Sequence, residues 1–175
     1  MLELQRLRPD HEPALLDFER ANRAYFAESI NDRGDDFFVE FAHRYRVLLA
    51  DQERGIGVFH VLVDEDGAIL GRFNLYDIVD GTAEVGYRVA QRAAGRGVAT
   101  SGLRGLCRLA DEEYGLRTLR ATASNENVAS QRLLARAGFA AIGPAEVGGR
   151  QGVRYELLLA NPRPGWDSSI PGATT

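Results

Sequence analysis

Ala94-Gly95-Arg96-Gly97-Val98-Ala99-Thr100 divides strand-like sequence from helix-like sequence, and the fold is read from what lies on either side of it. Upstream, Thr82–Val89 has strand character and follows the turn pair Asp80-Gly81. Downstream, Leu103, Leu106, Cys107, Leu109 and Ala110 recur at helical spacing, and Gly115 is a fitting stop. A strand, a glycine turn and a helix start together make an anion site from backbone alone. The first amides of a helix lack intrahelical partners, and the helix dipole adds partial positive charge there. Gly95 and Gly97 let the backbone approach a phosphate closely, the amides from Gly95 to Thr100 can face a diphosphate, and Thr100 adds a hydroxyl. The segment lacks the third glycine and downstream acid of a dinucleotide fingerprint, and the lysine of a nucleotide P-loop. Alone it is also compatible with a bare turn.

Working outward, Val58–Val63 and 69–78 read as strands joined by the turn Asp64-Glu65-Asp66-Gly67, so with Thr82–Val89 they form an antiparallel meander. Residues 1–7 alternate as a short first strand. A helix starts at Pro9-Asp10 and carries Ala14, Leu15, Phe18, Ala21, Tyr25 and Phe26. A second starts at Asp35-Asp36 and carries Phe37, Phe38, Phe41, Tyr45, Leu48 and Leu49. That aromatic stripe reads first as core packing and second as one wall of an acceptor pocket. Past the glycine segment, 116–123 is strand-like, 125–137 helical up to Gly138, and 139–142 and 153–159 are two last strands. Residues 161–175, rich in Pro, Gly, Ser and Thr, read as a flexible tail to a single domain over 1–160. The fold class is α/β with a mixed sheet.

Composition narrows the function. The chain has 175 residues, 45% hydrophobic and 26% charged, the profile of a soluble globular protein. No apolar run approaches the length needed to cross a bilayer, and no secretory core is read at the N-terminus, so the expected setting is cytoplasmic. A net charge of −4, with acids interspersed among the arginines and no lysine, argues against nucleic acid as the main partner. Cys107 is the sole cysteine, and His11, His43 and His60 lack ligand spacing, so no metal is expected. Cys107 falls on the apolar side of its helix, and no Ser or Cys pairs with a His in a readable motif, which disfavours a covalent acyl-enzyme.

Four ordered motifs carry a resemblance. Leu70-Gly71 with Phe73-Asn74 lies on the third strand and Thr82-Ala83-Glu84-Val85-Gly86-Tyr87 on the fourth. Gly95-Arg96-Gly97-Val98-Ala99-Thr100 opens the helix, and Asn127-Val128-Ala129-Ser130 precedes Arg136-Ala137-Gly138-Phe139. In these motifs the chain resembles the GCN5-related N-acetyltransferases (GNAT), nearest to the branch that acetylates the N-terminal alanine or serine of ribosomal proteins. The resemblance spans roughly residues 56–160; residues 1–55 fit by pattern only. It implies about seven strands in the order β-α-α-β-β-β-α-β-α-β-β, in a mostly antiparallel sheet whose fourth strand bulges and splays from the fifth. It also implies acetyl-coenzyme A as co-substrate. Pantetheine would lie in the gap against the backbone of Tyr87, Arg88 and Val89, the diphosphate on the amides of Gly95, Arg96, Gly97, Val98, Ala99 and Thr100, and Asn127 beside the pantetheine. The family often has Gln or Arg where this chain has Ala94, which implies weaker rather than lost affinity.

Acetyl transfer to an amine needs a proton removed from the ammonium, a donor for the developing oxyanion and an acid for the leaving thiolate. The resemblance implies the amide of Val89 as the oxyanion donor. Many family members place the acid as a tyrosine four residues before the helix-ending glycine; here that position is Leu134. The ribosomal branch instead implies Ser130, whose competing reading is a local cap or a solvent-facing hydroxyl. For the base, Glu84 on the fourth strand competes with Glu146 between the last two strands; either is also readable as an ordinary solvated acid. Thr122 occupies a further family base position and cannot serve.

Three functions stay open at this point. The first is an acetyltransferase acting by direct attack of a primary amine, such as a protein N-terminus. The second acetylates a small-molecule amine, an antibiotic or a metabolite. The third is a non-catalytic acyl-coenzyme A sensor. No membrane partner is expected, and a homodimer is among the open assemblies.

Overall fold

The computed structural model describes residues 1–159, so the expected tail lies outside the described residues. The strands are β1 (Glu3–Arg6), β2 (Val58–Val63), β3 (Ile69–Val79), β4 (Thr82–Val89), β5 (Thr118–Ser124), β6 (Ala140–Val147) and β7 (Arg150–Leu158). The helices are α1 (Glu12–Ala21), α2 (Arg23–Ala27), α3 (Asp35–Val39), α4 (Phe41–Glu53), α5 (Val98–Glu112) and α6 (Val128–Arg136). The strands form one sheet in the order β1-β2-β3-β4-β5-β7-β6. Neighbours run antiparallel except β4 and β5. The expected mixed, mostly antiparallel α/β sheet is what the chain builds.

The two N-terminal helices are each broken in two. Asn22 interrupts the first because its side chain leaves the helix pattern: Nδ2 donates to the Phe18 carbonyl at 2.9 Å and Oδ1 accepts from the Gln91 amide at 2.9 Å. Glu40, at φ −92° and ψ 7°, interrupts the second. The last two strands are longer than the sequence pattern suggests. Gly143-Pro144 looks like a stop, but β6 lies at the sheet edge, where a proline forfeits little pairing. Glu146 therefore sits on β6 opposite Gln151, not in a loop.

Side chains leave the sheet on two faces, and each face has its own core. Leu103, Leu106 and Ala110 of α5 pack on Phe73, Leu75, Ala83, Val85 and Leu119. On the other face Leu15, Phe18, Phe26, Phe37, Phe41 and Tyr45 from α1 to α4 cover Phe59, Val61 and Val63. The aromatic stripe is thus largely core. β2 is buried along its whole length because both layers cover it. Gly102 lets α5 approach the sheet: a Cβ there would stand 2.2 Å from Phe73 Cζ.

Pairing between β4 and β5 stops early. Thr82, Ala83 and Glu84 pair with Thr118, Leu119 and Arg120, and nothing beyond them pairs. β4 continues in unbroken register with β3 from Glu84 to Val89. The register shift falls on β3 at Asp77 and Ile78, with Asp77 at φ 49°, so the bulge expected on the fourth strand lies on its neighbour. The splay itself is present.

Candidate active site

The open slot exposes backbone. Ala90 donates to the Leu70 carbonyl of β3 at 2.8 Å. Alternate residues of a strand turn their N–H and C=O groups to the same neighbour, so those of Tyr87 and Val89 turn away from β3, toward the slot. An extended chain of amides, such as pantetheine, can bond there as an added strand does.

At the end of β4 the chain turns into α5. Gly95 (φ 72°) and Gly97 (φ 75°) are both left-handed, which positions the helix start with Gly97 as its cap residue. The first helical bond is from the Ser101 amide to the Gly97 carbonyl. The amides from Gly95 to Thr100 have no hydrogen-bond partner among the described residues, and Gly97 and Val98 to Thr100 line an open groove of about 450 Å³. An uncapped run of amides at a helix N-terminus, fronting a groove, suits a diphosphate. Arg132 and Arg136 of α6 also line the groove, and neither has an acidic partner among the described residues; the sequence reading quoted Arg136 only as part of a motif and gave neither a site role. Their i, i+4 spacing on one helix was the available signal. The Arg96 side chain stands outside the groove, toward Met1 and Asp64.

A second cavity, about 350 Å³, opens on the other side and is lined by Tyr76, Gly86, Thr122, Ser124, Val147 and Arg150. Asn31 Nδ2 donates to the Gly148 carbonyl at 3.0 Å and ties the loop after α2 to the β6-β7 turn at its rim. Groove and cleft meet at Ser29, Ile30, Tyr87, Asn127 and Ser130, which line both.

At this junction the Tyr87 hydroxyl is 2.6 Å from Ser130 Oγ. Burial pushes the Tyr87 phenol up to about 12, outweighing the lowering by its bond to Ser130. A phenol that stays protonated can donate to Ser130 Oγ and leave the serine proton free to point into the groove. Ser130 is not the cap of α6. Asn127 is: its Oδ1 accepts from the Ser130 amide at 3.1 Å. The Tyr87 hydroxyl was not singled out from sequence, because only the fold brings it to α6.

The remaining candidates scatter. Arg88 lines the groove, but its guanidinium turns to the helical layer of α1 and α2, bonding Glu19 at 3.2 Å and lying 4.9 Å over the Phe26 ring. Glu84 bonds Arg154 Nη2 at 2.6 Å and lines neither cavity. Glu146 is exposed, one residue before the cleft-lining Val147, and makes no ion pair among the described residues. Tyr25 and Phe26 line the groove, whereas Phe37 and Phe41 line a separate cavity. Cys107 is half-buried, its thiol pushed up to about 11 by burial, too high to supply a nucleophilic thiolate. Among the described residues no three His, Cys, Asp or Glu side chains could hold a metal.

A family model described as an acetyltransferase (GNAT) domain matches residues 1–140. The chain belongs to the GNAT acetyltransferase family. It is 29% identical over 133 residues to a probable N-acetyltransferase of Bacillus subtilis, YjcK, covering 71% of this chain and 72% of that one. A ribosomal-protein-S5-alanine acetyltransferase from Vibrio fischeri superposes with a TM-score of 0.85 at 18% identity, over 93% of this chain and 96% of that one. The spermidine N-acetyltransferase of Vibrio cholerae, solved with coenzyme A and spermine, gives 0.73 at 18% identity, over 90% and 95%. This GNAT protein is accordingly an acyltransferase enzyme. No helix among its described residues is long and apolar enough to cross a membrane.

Proposed function

We propose that residues 1–160 form one catalytic unit that acetylates a primary amine at the end of a peptide, using acetyl-coenzyme A in a ternary complex. The observation that carries this reading is the Tyr87–Ser130 pair at the junction of groove and cleft. Bound acetyl-coenzyme A supplies the activated acetyl group and a thiolate leaving group. The residues that would hold it are the amides from Gly95 to Thr100, the slot-facing backbone of Tyr87 and Val89, and the Arg132 side chain. The Val89 amide is assigned the developing negative charge on oxygen.

Ser130 holds the proton for the sulfur at Oγ, with the Tyr87 hydroxyl donating to Oγ from behind. An α-amine titrates near ~7.7–8.0, so part of it is already neutral in water near pH 7 and its proton leaves to solvent without a strong base. Glu146 lines neither cavity, but it is exposed next to the cleft-lining Val147 and makes no ion pair among the described residues, so it is assigned the water-linked base role. Glu84, held by Arg154, is assigned a structural one.

The cleft lining favours a peptide over a polyamine. Among the described residues no Asp or Glu lines the cleft to attract a polycation, and its one charged lining residue, Arg150, is paired with Glu126 at 3.0 Å. The half-buried Cys107, with no disulfide partner in the sequence, supports a reducing, cytoplasmic setting. The test is free-thiol release from acetyl-coenzyme A with N-terminal peptides, polyamines and aminoglycosides. Peptides are expected to release thiol. Silence across the whole panel, with coenzyme A bound, overturns the catalytic reading.

A further inference from the structure

The cavity lined by Phe37 and Phe41 has a volume of about 460 Å³ and shares no lining residue with the groove or the cleft. Its apolar walls include Leu15 and Leu48, and three guanidinium groups enter it: Arg33, Arg44 and Arg72. Behind it, Glu19 is 1% exposed. Glu19 Oε1 accepts from Arg72 Nη1 at 2.6 Å, while Oε2 faces Arg88 Nη1 at 3.2 Å and Arg33 Nε at 3.9 Å. Glu40 is the one acid among the described residues that lines the cavity, and Arg44 holds it at 2.8 Å. Asp32 and Asp35 are both bound to Arg23. With Arg23 and its two acids included, since Asp32 also acts on Arg88, five arginines face four carboxylates among the described residues, leaving one positive charge in excess.

Charges withdrawn from water are costly unless paired. Here the cost is visible: burial, then the charges of Arg88 and Arg72, pull Arg33 down to about 10. Arg33 and Arg44 are also oriented, their guanidinium carbons 4.7 Å and 5.9 Å from the Phe37 ring centre. Paired guanidinium forks match a planar carboxylate, and the phenylalanine and leucine walls match an apolar body. We propose that this cavity is a second ligand site, separate from the transfer site, for a small organic carboxylate with an apolar tail.

The test uses the full chain saturated with coenzyme A, so that the groove is filled, and titrates hexanoate, hexylammonium and inorganic phosphate by calorimetry and thermal melting. Hexanoate is expected to bind saturably and to raise Tm by roughly 3–6 °C at ten times its Kd. Hexylammonium is expected to do nothing, and phosphate to bind more weakly than hexanoate. Arg33→Gln and Arg44→Gln should each weaken hexanoate at least tenfold while coenzyme A binds as in the parent. Arg44 is half-exposed, so its variant keeps the test open should Arg33→Gln fold poorly. No saturable hexanoate signal, an equal response to hexylammonium or to phosphate, or an unchanged Kd in both variants overturns the site. The readout is binding without turnover, so it stands or falls separately from acetyl transfer.

Discussion

The Tyr87 hydroxyl and Ser130 Oγ, 2.6 Å apart, bridge the open side of β4 to the first turn of α6. The contact joins residues 43 positions apart and sits where the groove and the cleft share their walls. A hydroxyl held there by a buried phenol is poised to give up a proton, whereas a cap would face the helix amides.

Ser130→Ala is therefore expected to lower kcat about 100-fold with KM for acetyl-coenzyme A changed less than about threefold. Tyr87→Phe removes one hydrogen bond to Oγ and keeps the ring, so its loss should be near tenfold, about 1.4 kcal/mol. Steady-state kinetics decide it. Parent-like kcat in both variants sinks the proton-donor assignment.

The glycine turn and Arg132 predict a separable effect on binding. Gly97→Ala forces a Cβ into left-handed backbone, about 1–2 kcal/mol of strain, and shifts the amides that face the groove. Its coenzyme A affinity should fall roughly tenfold and its stability with it. Arg132→Ala should raise KM for acetyl-coenzyme A roughly three- to tenfold, with kcat and melting temperature unchanged, because its side chain is exposed and makes no ion pair among the described residues. Calorimetry with coenzyme A and a melting curve separate the two. An Arg132→Ala protein that binds like the parent removes that residue from the groove's charge.

These contrasts show what the sequence carried and what it did not. The meander, the glycine turn and the two C-terminal helices were legible because local periodicity and turn chemistry act over a few residues. Asn22 was not, since the Gln91 amide that holds its side chain lies 69 residues away. Nor was Glu84, whose partner Arg154 lies 70 residues on and turns a candidate base into half of an ion pair. The groove's backbone could be anticipated from glycine spacing alone. The side chains that meet in it depend on where β4 parts from β5, which no local pattern records.

Gly102 and Phe73 make a packing prediction. With Phe73 Cζ 2.2 Å from an added Cβ and the ring fully buried, Gly102→Ala must displace either α5 or the ring. Overpacking of this kind costs about 1–3 kcal/mol, and urea unfolding should show a lower midpoint with an unchanged slope. Shortening the ring in Phe73→Leu/Gly102→Ala should recover part of that loss relative to the sum of the single variants. Strict additivity would mean that the two residues do not press on each other.

His60 makes the stability of the fold depend on pH. The ring is 1% exposed, with Nδ1 3.2 Å from the Phe73 carbonyl and Nε2 2.6 Å from the Tyr114 hydroxyl. A carbonyl only accepts, so Nδ1 carries the proton and Nε2 accepts from Tyr114; the imidazole is neutral. Burial, with a smaller push from Arg6 and against the Phe73 bond, lowers His60 from 6.5 to about 4. The unfolded chain therefore binds the extra proton between about pH 6.5 and pH 4, and the native state does not. Stability from this group is complete above pH 6.5 and drains away as pH falls toward 4, by an amount on the order of 3 kcal/mol. Urea unfolding at several pH values should show that decline. In His60→Gln, whose amide can serve both partners without titrating, the decline over this window should be markedly shallower. An equally steep decline in that variant would place the acid sensitivity elsewhere.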